Sequence, residues 1–289
     1  ILGRGGKLIG VLYIWFFLHR TSIILRELGE FLTAVPYPET PISVFIGITA
    51  LFAAYAVSQG IETICRVGQT VLPVVFFSIL LIFALLTKDM DLRNLTPILE
   101  NGIVPVVYGA LVIASRTTVI LAVLMLVPYI NMPKKMKNYL GLGFLTLSIY
   151  YIAISVTTVA IFGVEQAKTL AFPFYYTVRM ISIADFLERI DAIFFAIWVL
   201  GMFVNTAIVY YLTVLAAAQL FKLRDYRPIV LAMGTIIVSL SIFQSDSMIA
   251  FNEFLSYKVF TWYALFFIFV LPLFLLMIAI IRKKGADSR

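Results

Sequence analysis

Four consecutive polar residues near the centre of a long apolar stretch are the chain's best candidates for ligand chemistry. Ser115, Arg116, Thr117 and Thr118 interrupt residues 102–130, which are otherwise largely apolar. A guanidinium can hold a carboxylate through two parallel hydrogen bonds, and neighbouring hydroxyl groups can fix the orientation of the bound molecule. We therefore predict that these residues line a cavity and bind a small ligand that carries a carboxylate.

A structural role is the alternative for the same residues. Arg116 would then pair with a carboxylate from another helix, and the hydroxyl groups would donate to carbonyls one turn earlier. An arginine at bilayer depth is costly unless it faces a bundle interior or a water-filled cavity. Both alternatives therefore place Arg116 inside the protein.

The first apolar stretch carries further polar residues. His19 lies near its middle, where a lone histidine is more often hydrogen-bonded across helices than engaged with a ligand or in proton relay. Arg26 and Glu30 lie one turn apart toward the outer end, beside Glu27, and are predicted to form an ion pair. No acidic residue is expected at mid-membrane.

The composition indicates that the elements holding these residues are membrane helices. The 289 residues are 62% hydrophobic and 13% charged, with a mean hydropathy of +1.04, which excludes a soluble domain. One cysteine and one histidine exclude an internal disulfide and a multi-histidine metal site. The net charge of +7 could suit nucleic acid, but the basic residues lie in short tracts beside apolar stretches, as membrane topology requires.

Eight apolar stretches predict an all-α integral membrane protein with a single polytopic domain over residues 1–289. In the fourth stretch, Pro105 and Gly109 precede the polar group by two to three turns, and both loosen a helix. This stretch is predicted to be a discontinuous membrane helix that lines a polar cavity. The predicted spans are residues 8–32, 42–58, 71–87, 102–130, 139–162, 190–218, 229–243 and 259–281.

The distribution of lysine and arginine predicts the orientation. One side of the eight spans holds thirteen of these residues and the other holds five, and the richer side is cytoplasmic by the positive-inside rule. Both termini are then cytoplasmic. The thirteen are Arg4, Lys7, Arg66, Lys134, Lys135, Lys137, Lys222, Arg224, Arg227, Arg282, Lys283, Lys284 and Arg289; the five are Lys88, Arg93, Lys168, Arg179 and Lys258.

Enzyme motifs are absent from the sequence. It contains no glycine-rich phosphate loop, no HExxH and no nucleophile elbow, and Asp89 and Asp91 are its nearest approach to a metal-binding pair. We therefore predict a protein that is not an enzyme and has no cofactor or metal; an integral membrane transferase is the alternative. The opening residues look like a connecting loop and not a signal peptide, which predicts further chain before Ile1.

Four segments of the chain stand out, in the order Leu25–Pro41, Gly60–Gln69, Asn94–Gly102 and Asp185–Phe203. Together they resemble the spore germination permease family, the B-type subunits of germinant receptors. The resemblance implies a LeuT/APC-type inverted-repeat permease fold of ten helices, within the amino acid/polyamine/organocation permease superfamily. The eight spans would be helices 3–10, with residues 102–130 as the broken sixth helix and the first two helices missing. His19 on the third helix and Trp198 on the eighth would line the cavity.

The resemblance also implies a function. It is that of a germinant-sensing subunit in the spore inner membrane, which binds a small nutrient such as an amino acid in a mid-membrane cavity. The implied partners are an A-type membrane subunit and a C-type lipoprotein. Residues 164–184, with their aromatic cluster, would lie where such folds carry an outer gate; an interfacial anchor is the alternative. For the whole protein, the alternative is a proton-coupled amino acid secondary transporter.

Overall fold

The computed structural model describes residues 5–127, 136–181 and 190–282, and the regular structure in these ranges is helical. The α-helices are α1 (Gly5–Ala34), α2 (Ile42–Gln59), α3 (Ile61–Leu86), α4 (Val104–Arg116), α5 (Val119–Leu126), α6 (Met136–Thr169), α7 (Pro173–Arg179), α8 (Ile190–Phe221), α9 (Val230–Phe243), α10 (Met248–Phe254), α11 (Phe260–Leu265) and α12 (Leu271–Ile281). A π-helical segment, Phe266–Val270, joins α11 to α12.

The lengths of these helices match those of a membrane protein. Within the described ranges, seven helical stretches are long and apolar enough to cross a bilayer. An eighth is counted if α9 and α10, which meet at a bend of 107°, form one broken span. The chain is therefore an all-helical membrane protein, and the predicted eight spans correspond to the higher count.

Two helices depart from the predicted limits. The third predicted span starts at residue 71, but α3 begins at Ile61, directly after Gly60, whose φ of 99° separates it from α2. The fifth is predicted to end at residue 162, but α6 continues to Thr169 past a non-helical residue, Gly163, with φ 70° and ψ 166°.

By its contacts the chain divides into two compact units. The first comprises Ile1–Cys65, Asn101–Leu126 and Met202–Arg289. Helix α1 runs through its core, because apolar side chains on one side pack with α2, α8 and α9, and those on the other pack with α8, α10 and α11. From Phe16 to Leu32 nearly every residue of α1 is buried, including Arg20, Arg26 and Glu30. The polar groups of α1 therefore lie inside the unit.

The second unit comprises Arg66–Glu100 and Val127–Gly201. A 3₁₀ turn, Leu92–Leu95, packs against α6 near the non-helical Gly163. The side-chain amide of Asn94 donates to the carbonyl of Ala160 at 2.9 Å, and the backbone N–H of Asp91 donates to the same carbonyl at 3.1 Å. The kink at Gly163 interrupts the hydrogen bonds of α6. The 3₁₀ turn provides donors for the carbonyl of Ala160, which the kink exposes.

Candidate functional site

The fourth predicted span is broken at its polar group. Helix α4 ends at Arg116, Thr117 adopts φ −92° and ψ 87°, and α5 begins at Val119. The structure confirms the predicted break but not its predicted cause. Pro105 lies in the first turn of α4, where proline is tolerated, and Gly109 lies within the regular helix.

The hydroxyl groups at the break form local hydrogen bonds. Ser115 Oγ donates to the carbonyl of Val112 at 2.7 Å, and Thr117 Oγ1 donates to that of Ile113 at 3.0 Å. This is the back-bonding of the structural alternative. The side chain of Thr118 is buried, and its carbonyl accepts from the N–H of Ala122 at the start of α5, at 3.1 Å.

An acidic residue of α1 lies between two arginines at this break. Glu27 Oε1 is 3.6 Å from Nη1 of Arg116, and Glu27 Oε2 is 3.8 Å from Nη1 of Arg20. Nη2 of Arg20 also donates to the carbonyl of Arg116 at 3.4 Å. The side chain of Arg116 is 41% exposed and that of Glu27 is 22% exposed, whereas that of Arg20 is only 6% exposed. The three groups form a charge cluster whose open side is at Arg116.

Glu27 is the residue of this charge cluster that was not predicted as a site residue from the sequence. It was placed toward the outer end of its span, with no acid expected at mid-membrane. That expectation is wrong, because Glu27 reaches Arg116, near the middle of the 23-residue span Val104–Leu126. The available signal was the spacing of Arg20 and Glu27, which are seven residues, or about two turns, apart and so share one helix face.

His19 takes part in an aromatic cluster. Its Nδ1 lies 3.1 Å from the hydroxyl of Tyr263 in α11, and its ring stacks on Trp15 at 5.6 Å and lies 5.5 Å from Phe254. This is the hydrogen bond across helices that a lone membrane histidine is expected to make. Its role in ligand binding stays a prediction.

Trp198 lies on α8 and is half-buried. It belongs to the second unit, whereas the other five candidate residues belong to the first. Its place beside them therefore stays a prediction. Asp185, where the fourth family-like segment begins, lies outside the described residues.

The predicted ion pair of α1 is present and has a further role. Arg26 Nε donates to Glu30 Oε1 at 2.8 Å, and both side chains are buried. Nη1 of Arg26 donates to the carbonyls of Ser241 at 3.4 Å and Ile242 at 3.0 Å. These carbonyls end α9 at its bend toward α10. Arg26 therefore caps the end of a helix, a role that the sequence did not reveal.

A cavity of about 820 Å³ in the first unit has a different character. Tyr13, Phe17, Leu121, Met125 and Leu220 are among its lining residues, which come from α1, α5, α8 and α12. Its lining is almost wholly apolar and includes none of the predicted site residues. A cavity of this chemistry suits hydrocarbon, so it is not the predicted polar site.

Metal-binding chemistry finds no support in the described ranges, where no group of three histidine, cysteine, aspartate or glutamate side chains is placed to hold an ion. The break offers a guanidinium, a carboxylate and hydroxyl groups. This set can bind a charged small molecule by ion pairing and hydrogen bonding.

Comparisons with known proteins agree on one family. The family model described as spore germination protein matches residues 4–249. Spore germination protein KB of Bacillus subtilis (strain 168) is 28% identical over 97% of this chain and 76% of its own length. Spore germination protein A2 of the same organism is 24% identical over 96% of this chain and 75% of its own length. No solved structure is significantly similar.

Proposed function

This chain belongs to the spore germination protein family, and on that premise we propose that it is the germinant-sensing membrane subunit of a germination receptor. It binds a small nutrient, such as an amino acid, at the break between α4 and α5. The fold we propose is the LeuT/APC-type permease fold, with the eight spans as helices 3–10. The protein lies in the spore inner membrane with both termini cytoplasmic, and its partners are an A-type membrane subunit and a C-type lipoprotein.

One observation carries the assignment of the site. Arg116 lies where a membrane span is interrupted, its guanidinium is accessible, and its ion pair with Glu27 is longer than a hydrogen bond. An accessible guanidinium at such depth is retained where it serves a ligand or a pathway. Ser115, Thr117 and Thr118 add hydroxyl groups, and His19 completes the proposed site within the first unit; the role of Trp198 stays a prediction from the resemblance.

Binding of labelled amino acids tests this function directly. The full-length protein in proteoliposomes is expected to bind at least one of the twenty tritiated L-amino acids saturably. Arg116→Ala should weaken that binding roughly 100-fold, because a charge-assisted bidentate contact is lost. Arg116→Lys keeps the charge but loses the planar fork, so it should recover only part of the affinity.

The matched control is Arg93→Ala, which removes an exposed arginine from the turn beside α6. It is expected to bind as the wild type does. Thermal midpoints in detergent should be equal for all three variants, since the side chain of Arg116 is 41% exposed and its ion pair with Glu27 is long. Unchanged affinity in a folded Arg116→Ala protein contradicts the site assignment.

A proton-coupled amino acid transporter is the second candidate, and Glu27 is the observation that favours it. A carboxylate near the middle of a span and beside the proposed ligand site is the kind of group that carries protons in transporters. The same proteoliposomes separate the two functions. Accumulation driven by an imposed proton gradient supports transport, whereas saturable binding without accumulation supports a sensor.

A further inference from the structure

The carboxylate of Glu27 is shared between two arginines that differ in how firmly they are held. Arg20 is buried, donates to the carbonyl of Arg116, and lies 5.7 Å from the ring of Phe260 on α11. Its position is therefore set by contacts other than Glu27. The side chain of Arg116 is 41% exposed, and within the described residues Glu27 is the only carboxylate in ion-pair range. Of the two arginines, Arg116 is therefore the one from which Glu27 can be displaced.

The distances show that the contact between Glu27 and Arg116 is weak. The two oxygens of Glu27 lie 3.6 Å from Arg116 and 3.8 Å from Arg20, and both distances exceed that of a hydrogen bond. A guanidinium that meets a carboxylate in the bidentate geometry makes two short, charge-assisted hydrogen bonds. A ligand carboxylate free to adopt that geometry therefore competes well against Glu27.

We propose that Glu27 occupies Arg116 when no ligand is bound, and that the carboxylate of the ligand takes its place. This inference rests on the proposed ligand site at the break. After the exchange Glu27 still faces Arg20, so its half-buried carboxylate is not left without a cation. The ligand class follows: a small molecule with a free carboxylate, such as an amino acid, but not its amide.

The exchange also provides a signal. Glu27 belongs to α1 and Arg116 to the end of α4, so their ion pair ties these two helices together at the break. Ligand binding removes this tie and leaves the bond from Arg20 to the carbonyl of Arg116. A ligand shifts a conformational equilibrium only through contacts that differ between the two states, and this tie is such a contact.

Removal of the competing carboxylate tests the proposal. Glu27→Gln keeps the size of the side chain and removes its charge, so the amino acid with the strongest wild-type binding should bind roughly 5-fold more tightly. Glu27→Asp keeps the charge but withdraws the carboxylate by one methylene, beyond the reach of Arg116. It should gain affinity nearly as Glu27→Gln does. The amide of the same amino acid should gain nothing in either variant.

The control is Glu30→Gln on the same helix, where the carboxylate pairs with Arg26 and not with Arg116. It makes the same charge change and should leave the affinity of the folded protein as it is. Wild-type affinity in Glu27→Asp, with a gain in Glu27→Gln, would show a through-space charge effect and overturn the exchange. Equal or weaker binding in both Glu27 variants overturns it as well.

Failure of the proposed function gives a different result. In that case the wild type itself binds none of the twenty amino acids, and the exchange falls with it. If Glu27→Gln does not fold, judged by its thermal midpoint and gel filtration in detergent, Glu27→Asp decides the question alone. A gain in that variant supports the exchange, and no gain refutes it.

Discussion

At the scale of single residues, one glycine permits the close packing of α8 on α9. The hydroxyl of Tyr210 donates to the carbonyl of Val230 at 2.6 Å, and this bond holds it directly against Gly234. A Cβ at position 234 would collide with the hydroxyl oxygen and lie 3.4 Å from Cζ of the ring. The clash therefore involves the hydroxyl alone, since the ring carbon is at van der Waals distance.

This geometry predicts a non-additive pair of substitutions. Gly234→Ala should destabilise the protein by about 2 kcal/mol through overpacking. Tyr210→Phe should cost about 1 kcal/mol through its lost hydrogen bond. The double variant should cost less than the sum, because removal of the hydroxyl makes room for the methyl group. The thermal midpoints of the four proteins in detergent give the comparison, and strict additivity would contradict the predicted clash.

Residue types alone predict which groups are candidates for a site, but not which of them meet. The polar group from Ser115 to Thr118 was recognisable because charge and hydroxyls are rare at the centre of an apolar stretch. Glu27 was assigned to the outer end because a span shows depth only along its own axis. Its partner on α4 is 89 positions further along the chain, and only the packing of α1 against the break brings the two together.

At the scale of elements, α1 pairs backbone groups at three irregular places in the first unit. Tyr13 donates to the carbonyl of Phe267 in the π-helical segment at 3.2 Å. Arg20 donates to the carbonyl of Arg116 before the break, and Arg26 to those of Ser241 and Ile242 before the bend. Irregular backbone at membrane depth persists only where protein or water satisfies its hydrogen bonds. Helix α1 meets that requirement in each case.

The bend between α9 and α10 therefore depends on Arg26. Arg26→Met leaves Glu30 buried without its cation and the carbonyls of Ser241 and Ile242 without this donor, so it should destabilise the protein by roughly 3–5 kcal/mol. The double variant Arg26→Met with Glu30→Leu removes the stranded charge and should recover part of that loss. Thermal midpoints and yields of folded protein in detergent measure both effects.

Contrasting outcomes would decide what the Arg26 pair contributes. Equal loss in the single and double variants would show that the carbonyl contacts dominate and the stranded carboxylate costs little. Full stability in the single variant would contradict the capping role altogether. Arg116→Ala serves as the reference, since that arginine is accessible and its removal should leave the midpoint unchanged.

The three irregular segments also show which breaks a sequence can predict. The break between α4 and α5 was predicted from the polar residues at the centre of an apolar stretch together with Pro105 and Gly109, and only the polar residues lie at the break. The bend after Phe243 was not predicted, since it ends a stretch that looks like a complete short span. The π-helical segment Phe266–Val270 is wholly apolar and carries no local mark. Its irregularity involves a contact from α1, which the local sequence does not contain.

At the scale of the whole molecule, composition was enough to identify a membrane protein. Lipid leaves backbone groups without partners, so a chain with this hydropathy can cross it only as helices or as a closed barrel. Residues 4–249 then place it in one family. The arrangement of the helices was predicted from the family resemblance alone, because hydropathy predicts the length of a span and not which other spans pack against it.

Orientation is the whole-molecule property that the charges predict most directly. The thirteen-to-five bias in lysine and arginine places the turn between α8 and α9 in the cytoplasm and the turn between α10 and α11 outside. Arg224 and Lys258 are exposed in these two turns.

Cys65 is the single cysteine and is exposed, so Cys65→Ser provides a background without thiols. Added to it, Lys258→Cys should react with a membrane-impermeant maleimide in intact cells, whereas Arg224→Cys should react only after permeabilisation. The reverse pattern would invert the orientation, and labelling of both without permeabilisation would mean that the two turns share one side. The chain between the two turns would then not cross the membrane, and α9 with α10 would form a re-entrant pair and not a broken span.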